Sequence, residues 1–86
     1  MYKLISYEGS NWGSGCDTLD GKALFEGEKL EIVWPNDTCQ IVKVVLRERH
    51  GTVSDMGQPW PYTYFEACVK AGQALISICN LPARRI

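Results

Sequence analysis

The chain contains no Cys-x-x-Cys pair, a single histidine, no excess of basic residues and no apolar run near the roughly 20 residues of a membrane span. Structural zinc sites favour closely spaced ligand pairs, so His50 and the scattered Cys16, Cys39, Cys68 and Cys79 predict no metal and no cofactor. Nine basic residues against ten acidic ones leave a net charge of −1. Binding to nucleic acid in general or to an anionic membrane usually requires a basic excess, so neither partner is expected. The same near-neutrality provides little colloidal repulsion and favours self-association. The stretch Met1–Glu8 is too short an apolar run for a signal peptide, which predicts a cytoplasmic protein whose four cysteines are reduced thiols.

Phosphate-binding signatures are missing too. Residues 9–22 hold four glycines and two serines, but Gly13-Ser14-Gly15-Cys16-Asp17-Thr18 is neither a P-loop nor a dinucleotide fingerprint opening a helix. With that density of glycine the segment reads as a long loop carrying Trp12. Asp17, Asp20, Asp37 and Asp55 match no calcium loop and no paired-carboxylate hydrolase pattern, and read as turn formers. No stretch has the 3.6-residue periodicity of an amphipathic helix.

What is present is strand pattern. In the segment from Gly27 to Arg47, Leu30, Ile32 and Trp34 alternate with Glu31 and Val33, and Val42, Val44 and Leu46 alternate with Lys43, Val45 and Arg47. That is the period of two half-buried strands, and Pro35-Asn36-Asp37-Thr38 between them is turn chemistry. Residues 2–8 suit a further strand, Ala23-Leu24-Phe25 a short edge strand, and Arg47–Gly51 the polar end of the third strand. Thr52–Pro61 reads as a second long loop, with a turn at Asp55-Met56-Gly57 and Trp60 held extended between Pro59 and Pro61. With Ala71-Gly72 as the centre of a last turn, paired residue numbers sum to 143. Phe65 then faces Ile78, Ala67 faces Ile76 and Val69 faces Ala74, all apolar, with Tyr64, Glu66 and Cys68 looking outward. Asn80 and Pro82 predict one short helical or 3₁₀ turn at the end.

Eighty-six residues make one domain, near the size that buries about 60–65% of its unfolded surface. The expected fold is all-β: a small antiparallel barrel or rolled sheet of five to six strands. In its long early loop, its strand Gly27–Trp34 of the type Gly-x-x-Leu-x-Ile-x-Trp, its tight turn and the apolar strand that follows, the chain resembles the small SH3-like and Tudor-like barrels over roughly residues 23–80. It lacks the acidic early loop and paired-tyrosine motif of peptide-binding SH3 domains, which counts against a proline-rich ligand. In style it is also similar to the short orphan proteins of mobile elements such as integron cassettes and phages. The SH3-like resemblance implies that the two longest early loops flank one ligand groove.

Two sets of residues then suggest surfaces. Trp12, Trp60, Tyr62 and Tyr64, flanked by Arg47 or Arg49, would form an aromatic recognition surface; alternatively, each loop tryptophan folds back over an undersized core. Val33, Ile41 and Val45 make the outer face of the central hairpin apolar, to be covered by residues 2–8, by the early loop or by another subunit. Pairing of Cys68 or Cys79 with His50 would make a nucleophile and base, although nothing in the spacing enforces it. The expected function is a non-enzymatic binding or accessory module that engages a protein or small ligand and self-associates. The alternatives are a nucleic-acid-associated barrel using Arg47, Arg49, Arg84 and Arg85, and a small enzyme with an active site shared between subunits.

Overall fold

The computed structural model describes residues 1–9 and 14–86, without the side chains of Val53 and Asp55. Trp12 lies outside the described residues. The fold is all-β, with nine strands rather than five or six among the described residues: β1 (Lys3–Gly9), β2 (Ser14–Leu19), β3 (Lys22–Ala23), β4 (Lys29–Val33), β5 (Cys39–Lys43), β6 (Val45–Asp55), β7 (Gln58–Ala71), β8 (Ala74–Ser77) and β9 (Pro82–Arg85). No helix among them is long and apolar enough to cross a membrane.

The extra strands come from segments rich in turn residues. Asp20-Gly21 is a two-residue turn with both residues at positive φ, between the paired Leu19 and Lys22, so part of the expected early loop is the hairpin β2–β3. Met56-Gly57 makes the same kind of turn between the paired Asp55 and Gln58. The expected loop over 52–61 is therefore the outer half of the β6–β7 hairpin, paired without interruption from Val45–Cys68 to Asp55–Gln58. The prolines flanking Trp60 are accommodated because β7 has only one ladder neighbour at that end.

The central hairpin forms, with Leu30 opposite Val42 and Ile32 opposite Gln40. The strand expected to run on to Arg47 instead bends at Val44, whose N–H donates to the Glu28 carbonyl and whose carbonyl accepts from the Gly27 N–H, both at 2.8 Å. β5 stays with β4, while β6 leaves to pair with β7. Strand order is β5-β4-β9-β1-β2-β7-β6, with β3 on β2 and β8 on β7. The two ends of that path are joined through the single residue Val44, so the sheet curls into a nearly closed barrel. Ile5, Leu19, Leu24, Leu30, Ile32, Val42, Val44, Ala67, Val69, Ile78 and Ala83 fill its interior, with Trp34, Leu46 and Leu81 packed against them.

The last hairpin is shifted by two residues from the expected register. Pairs sum to 145, with Val69 opposite Ile76 and Ala71 opposite Ala74, because the turn is Gly72-Gln73 with Gly72 at φ 64°. A turn centred on Ala71-Gly72 would demand positive φ at an alanine, whereas glycine at the first central position carries it without strain. Consequently Ile78 lies in the core beside Ala67, but Phe65 and Ile76 do not: they are 43% and 44% exposed. The C-terminus forms β9 between β1 and β4 instead of a helical turn, because those two strands leave a ladder edge for it on each side.

Candidate functional site

β7 is longer than any strand beside it, and this creates the site. One edge carries β6. Along the other edge β2 pairs in parallel through Thr63, Tyr64 and Phe65, and β8 pairs antiparallel from Ala71 back to Cys68. The two approach head-on and meet at Glu66-Ala67. There the Asp17 side chain completes the ladder: its Oδ2 accepts the Ala67 N–H at 2.8 Å, while the Ala67 carbonyl accepts the Ile78 N–H at 3.1 Å. Asp17 is 1% exposed, and burial pushes its carboxyl above the ordinary aspartate range, with the negative charge of Glu66 adding to the rise.

Directly paired residues share a sheet face, and alternate residues return to it. By register, Trp60, Tyr62, Tyr64 and Glu66 of β7 share a face with Arg49 and Arg47 of β6, with Gly15 and Asp17 of β2, and with Tyr7 and Gly9 of β1. On this face Tyr7, Asp17, Tyr62, Tyr64, Glu66 and Cys79 line a groove of about 320 Å³. The rings interlock: Tyr7 meets Tyr62 and Tyr64 edge-on with centroids 5.9 and 5.3 Å apart, and Tyr62 and Tyr64 are tilted at 5.9 Å. Such pairs contribute about 0.5–1.5 kcal/mol beyond their buried area. Tyr7 fits because Gly9, two residues on in β1, and Gly15, diagonally across on β2, leave bare backbone beneath it; a Cβ on Gly15 would lie 2.6 Å from its ring.

The polar groups divide into neutralised and unsatisfied ones. Glu66 accepts from the Arg47 Nε at 2.9 Å and pairs with its Nη2. Burial alone would raise the Glu66 carboxyl, but the Arg47 hydrogen bond and charge hold it below the ordinary range. The Tyr62 hydroxyl is buried with no hydrogen-bond partner among the described residues, and burial raises its pKa. The Cys79 thiol approaches Asp17 Oδ1 at 3.9 Å and is pushed up by burial and then by the Asp17 and Glu66 charges. Cys68, fully buried, is pushed up to about 11, mainly by burial. Thiols held protonated in this way are poor nucleophiles.

The structure brings Trp60, Tyr62, Tyr64, Arg47 and Arg49 onto one face. Trp60 is 55% exposed and does not fold back over the core. The outward-looking face expected for Tyr64, Glu66 and Cys68 is instead partly enclosed: Cys68 is fully buried, and Tyr64 and Glu66 line the groove with Tyr7, Asp17 and Cys79. Sequence reasoning missed Tyr7, Asp17 and Cys79. The Asp20-Gly21 turn signal would have established β2 as a strand and so brought Asp17 and Tyr7 into register. His50 is on the opposite face from Cys68, beside Thr63 Oγ1 at 3.2 Å and Glu48 at 3.7 Å, so the proposed cysteine–histidine pair is not assembled. Of the four arginines considered for nucleic acid, Arg47, Arg84 and Arg85 are ion-paired with Glu66, Glu31 and Glu28. Val33 and Val45 are half-buried and Ile41 is exposed. No protein-family model, curated protein or solved structure matches the chain.

Proposed function

We propose that this chain is a non-enzymatic binding module whose recognition surface is the tyrosine groove at the β2–β7–β8 junction, extended along β7 by Trp60. The observation that carries the reading is the convergence of Tyr7, Tyr62 and Tyr64 from two strands around a groove of about 320 Å³ floored by the buried Asp17. That volume lies at the small end of the range typical for ligand pockets. It suits a single-ring ligand or one side chain of a protein partner, stacked on the tyrosines and hydrogen-bonded to the Tyr62 hydroxyl. Exposed Trp60, beside the groove mouth on the same face, would hold the remainder of a longer ligand. Three of four candidate arginines being neutralised by carboxylates favours this over a nucleic-acid surface.

A ligand-observed NMR screen of ring compounds, repeated on Tyr64→Ala and on Tyr62→Phe, tests the proposal. Hits should lose at least tenfold in affinity on Tyr64→Ala, and hydrogen-bonding hits should weaken several-fold on Tyr62→Phe. Hits that bind both variants as well as wild type, or a screen with no hits, would contradict it.

A further inference from the structure

The second open feature of the fold is the unpaired edge of β5. Hydrogen-bonded pairs alternate along an antiparallel ladder. Trp34 donates to Thr38 at one end of the central hairpin and Val44 donates to Glu28 at the other, so the intervening bonded pairs are Ile32–Gln40 and Leu30–Val42. Cys39, Ile41 and Lys43 therefore turn their N–H and C=O groups away from β4, and β5 has no second neighbour among the described residues. The bend at Val44 keeps this edge open. Where β5 diverges from the β7–β8 hairpin there is a groove of about 420 Å³ lined by Trp34, Ile41, Val42, Val69 and Ile76 among others. Ile41 is 60% exposed on the edge, and Cys39 is exposed as well. The edge has no proline, and its one charged residue, Lys43, stands at its end, leaving Cys39 and Ile41 open.

We infer that this edge is a self-association site, on which β5 of a second copy adds antiparallel about a two-fold axis at Ile41. What favours a second copy is the central pair: the two-fold axis sets the exposed Ile41 against itself and so removes from water the largest apolar side chain of the edge. In the two-fold register Ile41 meets Ile41, Gln40 faces Val42 and Cys39 faces Lys43, so no like charges are opposed. The Ile41–Ile41 pair falls on outward-turned residues, so it can exchange two hydrogen bonds, and the two Cys39–Lys43 pairs can do the same. The net charge of −1 leaves little repulsion between copies. A contact of one short strand is smaller than the roughly 1,200–2,000 Å² of standard interfaces, so the dimer is a weak one.

Proline at position 41 separates this arrangement from ordinary hydrophobic clustering. The Ile41 N–H is not used within the chain, so Ile41→Pro removes the bond to the partner and leaves the β4–β5 ladder its donors. Ile41→Lys is the second variant, placing like charges on the axis. Sedimentation equilibrium from about 10 μM to 0.5 mM should show wild type rising toward twice the 9.7 kDa monomer mass. Both variants should stay monomeric with the wild-type circular dichroism spectrum, and Ile41→Lys alone decides if the proline variant does not fold. A wild type that remains monomeric, leaving the edge for a different partner, overturns the inference, as does a dimer that survives a folded variant.

Discussion

Asp17 supplies the carboxylate that joins β2 to the backbone of β7, and its replacement separates two physical effects. In Asp17→Ala the buried Ala67 N–H loses its 2.8 Å acceptor. A buried donor left unsatisfied costs about 1–3 kcal/mol. In Asp17→Asn the amide oxygen can still accept that N–H, and the cost of burying a charge disappears. The asparagine variant should therefore exceed the alanine variant in stability by about 1–3 kcal/mol, and at pH 7 it should be at least as stable as wild type. The pH dependence has a definite sign. Because the folded pKa of Asp17 is raised, the folded wild type takes up a proton more readily than the unfolded chain, whose aspartates titrate near about 3.9. The advantage of Asp17→Asn is thus complete above the raised pKa, shrinks as pH falls, and is gone below the unfolded value. Urea denaturation of the three proteins at pH 7, 5 and 3.5 measures all of this. Equal stability of the alanine and asparagine variants would refute the reasoning. So would an advantage of Asp17→Asn that grows toward acid.

Gly15→Ala places a Cβ 2.6 Å from the Tyr7 ring and 2.8 Å from the Glu8 carbonyl; it should expel Tyr7 from the groove, cost about 1–3 kcal/mol by overpacking, and weaken groove ligands, as thermal melts and the same NMR titrations will show. Arg47→Met leaves Glu66 partly buried without its cation and should cost about 1–2 kcal/mol at pH 7, given that the pair is partly exposed. Since the Glu66 pKa is held down, that difference is present above the unfolded glutamate value of about 4.3 and fades as pH falls through the folded one, which denaturation at pH 7 and pH 3 will detect. Among thiols, exposed Cys39 should react with a disulfide reagent at neutral pH well before Cys68, whose pKa is pushed up to about 11; four thiols should titrate in denaturant.

The β4–β5 hairpin could be read directly, since Leu30, Ile32 and Val42 are buried and the residues between them are not, and residues 2–8 could be read as a strand despite imperfect alternation. Both expected long loops contain strands, because part of their glycine sits at two-residue hairpin turns and their prolines sit on a strand edge with one ladder neighbour. Asp20-Gly21 and Met56-Gly57 are hairpin turns with strand on either side; Leu19 beside the first lies in the core, whereas residues 58–61 beside the second are exposed. The last hairpin is shifted by two, since an apolar alternation fits several registers and only the φ demanded at Gly72 chooses among them. Trp60, Tyr62, Tyr64, Arg47 and Arg49 could be placed on one strand pair from local pattern. The Asp20-Gly21 turn points to β2, but nothing local brings Tyr7, Asp17 and Cys79 to β7: that takes the parallel β2–β7 pairing and the junction at Ala67, which are long-range contacts.

Recognition at the tyrosine groove can be observed without reference to any downstream activity. Protein labelled with ¹³C in its tyrosine rings gives four resonance sets, from Tyr2, Tyr7, Tyr62 and Tyr64. Tyr2 lies away from the groove, hydrogen-bonded to Glu31 at 2.7 Å, and serves as the internal control. Titration with ring compounds should shift Tyr7, Tyr62 and Tyr64 together, saturably and with one affinity, while Tyr2 stays in place. Shifts spread evenly over all four rings, or confined to residues outside the groove, would contradict the proposed site.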